Sequence, residues 1–388
     1  YANETVKGQT FRNRDGSGYK INTAKLPDPN VLFSPRFGFN YDVTGDRAVQ
    51  IRGGTGIFTG RPAFVWISNQ IGNNGVLTGF DQVDNTRNRP FNPDPKAYIP
   101  ANPSLPSSYE LAITDPDFKF PQIWRSNIAT DIRIPFDLIG TVEYVYSKEV
   151  NGIGYFNANL PEPTRKLEGA DQRPVYTSTR INSNVVNAIT LDNSNNGFSH
   201  SFAVSLEKPL TKGFFGKAAY AFGISKNTVD PGSIASGSYN NNPISIDPNN
   251  APLAFSSNDQ RHRAILALSY RKEYANFGSS QIGIFMEGRN QGRFSYIASS
   301  DINLDGNRND LIYVSKDPSE MIFQNYTPTG ASSVYTAEQQ SADWEAFIKQ
   351  DAYLSSIRGK YSERNGAILP WVWRADLNFT QEFFVNAG

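Results

Sequence analysis

The sequence contains no cysteine among its 388 residues. Disulfide frameworks, thiol nucleophiles and thiolate metal sites are therefore excluded. Acidic and basic residues number 37 each, so the formal net charge is zero. The chain has no basic field for nucleic acid, and we expect no nucleic-acid partner. The only histidines, His200 and His262, lie far apart in the sequence, and we expect no histidine metal site.

Long apolar runs are also lacking. No stretch approaches the ~18 residues that a membrane-spanning helix needs, and the mean hydropathy is -0.48. These numbers alone describe a soluble protein. However, 13% of the residues are aromatic. Aromatic-rich strands of low mean hydropathy are also typical of an outer-membrane barrel, because its inward-facing polar residues dilute the apolar ones.

Alternation with a period of two is clearest at 198–226. Phe202, Val204 and Leu206 fall on one side of an extended chain, whereas Ser205 and its alternate neighbours fall on the other. Successive side chains of a strand point to opposite faces, so this segment predicts a hairpin with one apolar and one polar or small face. We place its turn at 208–213. Each arm is long enough, at ~9–11 residues, to cross a bilayer as a tilted strand.

The same alternation predicts about seven further strands, at roughly 36–43, 48–60, 122–134, 138–150, 263–271, 281–287 and 371–384. The connections between strands are alternately short and long, and the long ones exceed the ~12–15 residues usual for loops in compact domains. In an up-and-down sheet, all long connections then lie at one end. Short turns at one end, long loops at the other and dyad alternation indicate a transmembrane β-barrel.

The predicted fold is thus all-β, a transmembrane antiparallel β-barrel over residues 1–388 with long extracellular loops. Residues 1–33 are interpreted as mostly loop, and a short strand is possible at 188–191. The longest loop region, 292–370, carries a predicted amphipathic helix at about 336–354 that includes Trp344, Phe347 and Ile348.

Several short segments together resemble Bacteroidetes-type TonB-dependent outer-membrane receptors, in particular the Oar-like branch related to SusC proteins. The segments that carry the resemblance are Leu32-Phe33-Ser34-Pro35-Arg36-Phe37-Gly38-Phe39, Ile51-Arg52-Gly53-Gly54-Thr55-Gly56-Ile57-Phe58, Gly60-Arg61-Pro62-Ala63-Phe64-Val65-Trp66, Phe120-Pro121-Gln122, Trp124-Arg125, Asn258-Asp259-Gln260-Arg261-His262-Arg263, Asn309-Asp310-Leu311-Ile312-Tyr313, Arg358-Gly359 and Arg364-Asn365. They are individually short but extend over most of the chain.

The resemblance implies a plugged barrel of about 22 strands in the bacterial outer membrane. It also implies contact with outer-membrane lipid, uptake of an oligosaccharide, peptide or chelate energised by TonB through the plug, and often a SusD-like surface lipoprotein. The plug, the early strands and the closing strands do not appear in these residues. We therefore expect the chain to be part of a larger barrel.

The segment 301–310 carries the clearest local motif. Asp301, Asn303 and Asp305 are followed by a glycine, which matches the first half of a calcium-binding loop. The glutamate expected at position 12 is replaced by isoleucine, and Asn309 or Asp310 could take its place. The sequence predicts a Ca²⁺ site formed by these five residues. The alternative is an Asn/Asp-rich turn without metal.

The sequence signals for other binding or catalytic sites are weak. The glycines at 53–56 lack the Lys-Ser/Thr and the helix of a phosphate loop, and we expect them to allow close backbone approach. Arg261 and Arg263 are expected to pair with acids facing the lumen. Asp376 and Glu382 are too far apart for a catalytic carboxylate pair, and we expect no enzyme activity. Two alternatives to transport stay open: a non-transporting outer-membrane scaffold or adhesin-like subunit, and a soluble all-β binding protein with a calcium-stiffened loop.

Overall fold

The computed structural model describes residues 2–76, 87–99, 108–177, 179–274, 277–330 and 332–384. Its strands, in chain order, are β1 (Phe11–Arg12), β2 (Gly18–Tyr19), β3 (Arg36–Asp42), β4 (Val49–Thr59), β5 (Tyr109–Thr114), β6 (Gln122–Ile134), β7 (Leu138–Glu149), β8 (Gly152–Asn157), β9 (Arg165–Lys166), β10 (Pro174–Val175), β11 (Val185–Ser194), β12 (Phe198–Thr211), β13 (Phe214–Asn227), β14 (Ala254–Phe255), β15 (His262–Tyr274), β16 (Gly278–Asn290), β17 (Arg293–Phe294), β18 (Tyr313–Val314), β19 (Lys360–Tyr361), β20 (Ala367–Ile368) and β21 (Trp371–Phe383).

Its α-helices are α1 (Glu4–Gly8), α2 (Phe64–Gly72), α3 (Ala235–Asn240), α4 (Ala337–Gln350) and α5 (Ala352–Ser356), and a 3-10 turn covers Pro318–Glu320. Over the described ranges, no helix has the length and apolar character needed to cross a membrane.

Nine long strands form one sheet, called here the wall, in the order β21-β16-β15-β13-β12-β7-β6-β4-β3, with the short β14 paired to β13. Each pair of neighbouring long strands is antiparallel, and the spatial order follows the chain order. The wall is therefore the predicted up-and-down sheet. Its edge strands, β3 and β21, have no further partner among the described strands.

One turn differs from its prediction. The sequence predicts the turn of the central hairpin at 208–213, but β12 continues to Thr211 with irregular pairing after Lys208. The chain reverses only at Lys212 and Gly213, where φ is 50° and 82°. Pro209 has no backbone N–H to donate, so it is accommodated where the ladder is interrupted.

The wall has two different faces. Cross-strand registers place Phe39, Ile128, Tyr144, Phe202 and Phe222 on the same side along consecutive strands. All of them except Phe222 are among the exposed large hydrophobic side chains. Among the buried apolar residues that the structure describes, Ala129 alone belongs to one of the nine long wall strands. The wall therefore has no dry core of its own, in contrast to a soluble β-sandwich.

The long connections gather at one end of the wall and pack into a second layer, called here the cap. At its centre is a mixed three-stranded sheet, β5-β11-β8, with β5 parallel and β8 antiparallel to β11. Two apolar clusters pack around it, one including Leu111 and Phe156 and the other Ile189 and Leu191. The short strand predicted at 188–191 is thus the middle of a longer buried strand.

One expectation about the cap is confirmed and one needs correction. Residues 2–33 are mostly loop, as predicted, with only the short elements α1, β1 and β2, but Val6, Phe11 and Ile21 of this segment are buried in the cap core. The helix predicted at 336–354 is divided into α4 and α5 at Asp351, whose carboxylate accepts the backbone N–H of Leu354 at 2.8 Å and so begins a new helix.

Helix α4 packs the apolar residues named in the sequence analysis into the cap. Ile348 is fully buried in a cluster with Val314 and Leu354, and Trp344 and Phe347 pack against it. The start of α4 is closed by a reciprocal capping box between Thr336 and Gln339, explained by the Thr-x-x-Gln spacing.

Candidate functional site: a charged wall face beneath a fused cap

The face of the wall opposite the apolar one carries paired charges. Arg52 on β4 binds Asp131 on β6 at 2.8 Å, and Thr141 on β7 donates to the same carboxylate at 2.7 Å. Arg263 on β15 likewise binds Glu287 on β16 at 2.7 Å. This pairing confirms the expectation for Arg263. Because each charge has a partner on an adjacent strand, the face can line an aqueous space without isolated charges.

Two arginines join the cap segments to one another. Arg14, from the N-terminal segment, forms a bidentate pair with Asp192 of β11, with both contacts at 2.7 Å. The Arg173 side chain is fully buried and binds Asp171 and Asp310 at 2.9 and 3.0 Å. Each guanidinium therefore connects segments that are distant in the sequence, and bidentate or multiple contacts fix their geometry.

A second buried group fixes the cap to the wall. Arg364 donates to the backbone and side-chain oxygens of Asn227, at the end of β13, with both distances 2.6 Å. It also binds Asp230 at 3.5 Å. Burial pushes the pKa of Asp230 upward, but the hydrogen bond from Asn227 and the charge of Arg364 outweigh this and leave that pKa below its usual value.

The motif at 258–263 has a structural role here. The Asp259 carboxylate is buried, accepts the backbone N–H of Ser225 at 2.6 Å and binds Arg293. Arg261 lies 3.8 Å from the same carboxylate. The motif thus anchors the chain where it enters β15 from the cap.

An asparagine network fixes the interior of the cap. Asn249 is fully buried, and its amide exchanges hydrogen bonds with the backbone of Asn157, at 2.8 and 3.1 Å. The hydroxyl of Tyr239 donates to Asn249 at 2.9 Å. The side chain of Asn157 in turn accepts the backbone N–H of Ala188 at 3.0 Å. Satisfied buried amides of this kind select one packing arrangement.

A cavity of about 320 Å³ lies next to this network. Its lining includes Arg14, Tyr155, Asn193, Asn196 and Tyr239, so it is mainly polar and its one arginine is already paired with Asp192. Burial raises the pKa of Tyr155 to about 12, so this hydroxyl is neutral and can donate a hydrogen bond. The cavity suits an uncharged polar group better than an ion.

The predicted calcium residues lie together in one loop, but their oxygens largely face protein groups. Asp301 accepts the backbone N–H groups of Asp305 and Gly306 at 3.2 and 2.9 Å. Asp305 accepts the side-chain amide of Asn303 at 3.2 Å. Asp310 accepts the N–H of Ile302 at 2.7 Å and binds Arg173.

Asn309 points elsewhere and donates to the carbonyl of Asn242 at 2.7 Å. In the described residues, no three His, Cys, Asp or Glu side chains converge as a metal site. Burial, together with the nearby Asp301 and Asp310, raises the pKa of Asp305 to about 6. These contacts favour the Asn/Asp-rich turn, and the calcium site stays a prediction.

The histidines and the two acidic residues considered in the sequence analysis do not come together in one site. His200 and His262 each bond to a tyrosine hydroxyl on the apolar face of the wall. Asp376 pairs with Arg374. Glu382 pairs with Arg271 at 2.8 Å, so the two acids have separate partners.

The glycines at 53–56 lie within β4. A Cβ on Gly53 would meet the carbonyl oxygen of Asn127 at 2.7 Å, and one on Gly54 would meet that of Phe37 at 2.9 Å. Their role is therefore close strand packing, as expected, rather than phosphate binding.

Comparison with known families decides the identity of this two-faced sheet. The family model described as "outer membrane beta barrel domain" matches residues 4–283, more than half of the chain. The chain belongs to this outer-membrane β-barrel family. Its wall is thus a section of barrel in the bacterial outer membrane: the apolar face contacts lipid, the charged face lines the lumen, and the cap lies outside the cell. This location excludes the soluble alternative.

Solved structures with similar folds include the outer membrane transporter YddB from Escherichia coli, with 13% identity and a TM-score of 0.43, covering 70% of this chain and 30% of that one. A variant of the ferric enterobactin receptor PfeA from Pseudomonas aeruginosa shows 9% identity and a TM-score of 0.37, covering 71% of this chain and 29% of that one. The barrel section thus spans about 30% of the length of these proteins. Comparison with curated proteins gave no match.

The expectations from sequence do not include the cap strands β5 and β8, nor the arginines that join the cap segments. Apolar runs such as Leu111-Ala112-Ile113 were a usable signal for buried strands. By contrast, Arg14 and Arg173 carried no local signal, because their partners are 178 and 137 residues away.

Proposed function

We propose that this chain is part of the barrel and external cap of a TonB-dependent transporter that takes up an oligosaccharide, a peptide or a chelate. The observation that carries the proposal is the charged lumenal face beneath the cap. Charge pairs such as Arg52–Asp131 give this face the polar lining that the passage of a water-soluble ligand requires. A plug would gate this lumen and contact TonB.

The cap supports a role in ligand capture. Its segments are joined by Arg14, Arg173 and Arg364, so the mainly polar cavity of about 320 Å³ is preformed. A preformed site loses less conformational entropy when it binds a ligand. A surface lipoprotein of the SusD-like type would act from outside, by covering the cap.

Uptake by cells that carry or lack the intact protein tests this proposal. The probes are radiolabelled maltoheptaose, a radiolabelled hexapeptide and a ferric catecholate, each measured with and without a protonophore. Transport predicts that at least one probe accumulates only in cells with the protein and only without the protonophore. If all three classes are excluded equally by both cell types, the transport proposal fails and the non-transporting scaffold or adhesin-like alternative takes its place.

Calcium at 301–310 is a separate proposal, and transport does not depend on it. A bound cation would offset the mutual repulsion of Asp301, Asp305 and Asp310. In titration calorimetry with CaCl₂, binding by the wild type that is lost in the Asp301→Ala/Asp305→Ala variant supports the site. Equal heats from the two proteins would refute it.

A further inference from the structure

The lipid-facing surface of the wall ends, on the cap side, in a row of alternating aromatic and cationic residues. Strand registers place five residues in one cross-strand row and on the same face, in the order Trp124, Lys148, Phe198, Lys226 and Phe255. Adjacent strands are ~4.8 Å apart, so the two lysines are separated by about 10 Å. This row marks the outer boundary of the hydrophobic surface.

On the same face, two to six residues further along the strands from this row, the same tyrosine–histidine pair occurs twice. The hydroxyl of Tyr144 lies 2.5 Å from Nδ1 of His200, and the hydroxyl of Tyr220 lies 2.7 Å from Nδ1 of His262. Both pairs are diagonal contacts between adjacent strands, β7–β12 and β13–β15. They contain the chain's only two histidines. When the tyrosine hydroxyl donates to Nδ1, the imidazole carries its proton on Nε2 and can donate to a group outside the protein.

The charge of the row is only partly neutralised. Lys226 binds Glu363 at 2.7 Å. Lys148 donates to the carbonyl of Asn196 at 3.2 Å, and no carboxylate of the described residues lies within ion-pair distance of it. Arg261, whose guanidinium lies over the rings of Phe222 and Phe255, 5.4 and 5.2 Å from their centroids, shares the single carboxylate of Asp259 with Arg293. An excess of positive charge therefore lies at the outer boundary of the lipid-facing surface.

We propose that this band, defined as the rim row together with the two tyrosine–histidine pairs, binds the phosphorylated headgroup of a lipid in the outer leaflet. The band is continuous with the lipid-facing surface, and its cations and imidazole donors complement phosphate oxygens in charge and hydrogen bonding. The aromatic rings lie at the depth where amphipathic side chains accumulate at an interface. The proposal extends the lipid contact of the barrel to recognition of one headgroup chemistry.

Binding of lipid A to the intact protein, purified in detergent, is measured by native mass spectrometry. The probes are lipid A carrying both phosphates and the same lipid after enzymatic removal of the phosphates. We expect the wild type to prefer the phosphorylated lipid, and Lys148→Gln to weaken that binding about fivefold. Lys148→Arg retains the charge and should bind like the wild type.

A second variant and a matched control separate recognition from folding. His200→Phe/His262→Phe keeps the rings, removes the Nε2–H donors and should weaken binding of the phosphorylated lipid about fivefold. Lys272→Gln removes an exposed cation from the lipid-facing side at the opposite end of β15 and should leave binding unchanged. Heat-modifiable mobility in gels confirms that each variant is folded.

Three results would overturn the proposal. Equal binding of the two lipids by the wild type would show that phosphate is not recognised. An equal loss in Lys272→Gln and Lys148→Gln would show that the band has no special role. Displacement of the lipid by millimolar inorganic phosphate would indicate a site for a free anion instead of a headgroup.

Discussion

Leu206→Arg and Ser205→Arg place the same charge on opposite faces of β12 at nearly the same depth. The strand has 14 residues. With a rise of about 3.4 Å per residue and a tilt of about 40°, it spans about 34 Å, and Leu206 lies within about 4 Å of its midpoint. Leu206 faces lipid beside Gly140 and Ala218, and 41% of its surface is exposed.

Arginine at position 206 should therefore destabilise the folded barrel by about 2–4 kcal/mol, the cost of a charge near the bilayer midplane. Arginine at position 205 enters the lumen, where Glu143 is a diagonal neighbour on β7 and Glu207 is the next residue on the same face of β12. Its cost should be well below about 1 kcal/mol. The free energies of unfolding are measured by urea titration in lipid vesicles, with heat-modifiable mobility as the readout. Equal destabilisation by the two variants, or a larger effect at position 205, would refute the assignment of faces.

Three further predictions concern the cap. Arg173→Met removes the cation that pairs with the buried carboxylate of Asp310 and the partly exposed one of Asp171, and should destabilise the cap by about 3–5 kcal/mol, measured as faster protease cleavage in the segment 291–330. In Gly197→Ala, the new methyl group displaces the carboxylate of Glu149, which accepts the backbone N–H of Gly197 at 3.1 Å, and the loss of this hydrogen bond should loosen the junction of cap and wall. Gly8→Ala, which meets nothing within 4 Å, should not; hydrogen exchange at the start of β12 measures this. The pKa of Asp230 is lower in the folded protein than in the unfolded chain, where it is about 3.9. Its contribution to the stability of the cap is therefore complete above about pH 3.9 and is lost as the pH falls through the folded pKa. Asp230→Asn should make protease resistance less dependent on pH in this acid range.

The sequence predicts the wall well because alternation is a local property. The face on which Phe202 or Ser205 lies can be read from the residues immediately before and after it. A strand with lipid on one side and water on the other must alternate apolar and polar side chains. Neighbouring strands then pair in chain order, so the register of 198–211 with 214–227 follows from a tight turn. Eight of the nine long strands begin within about two residues of their predicted starts for this reason.

The cap could not be predicted in the same way. Its strands β5, β8 and β11 are short segments within long connections, and β5 pairs in parallel with a strand about 75 residues later. Such pairing is stabilised by non-local burial, and local composition does not specify it. The calcium motif shows the same limit: the spacing of Asp301 and Asp305 suggests a metal, but the partner of Asp310 is an arginine from another segment.

The alternation of faces along β12 is the central claim, and the cysteine-free sequence allows it to be measured directly. Single cysteines introduced from position 200 to position 206 in the intact protein can be spin-labelled in lipid vesicles and tested for collision with oxygen and with a water-soluble nickel complex. The account predicts high oxygen accessibility at the even positions and high nickel accessibility at the odd ones. Accessibility without a period of two, or with the opposite phase, would contradict it.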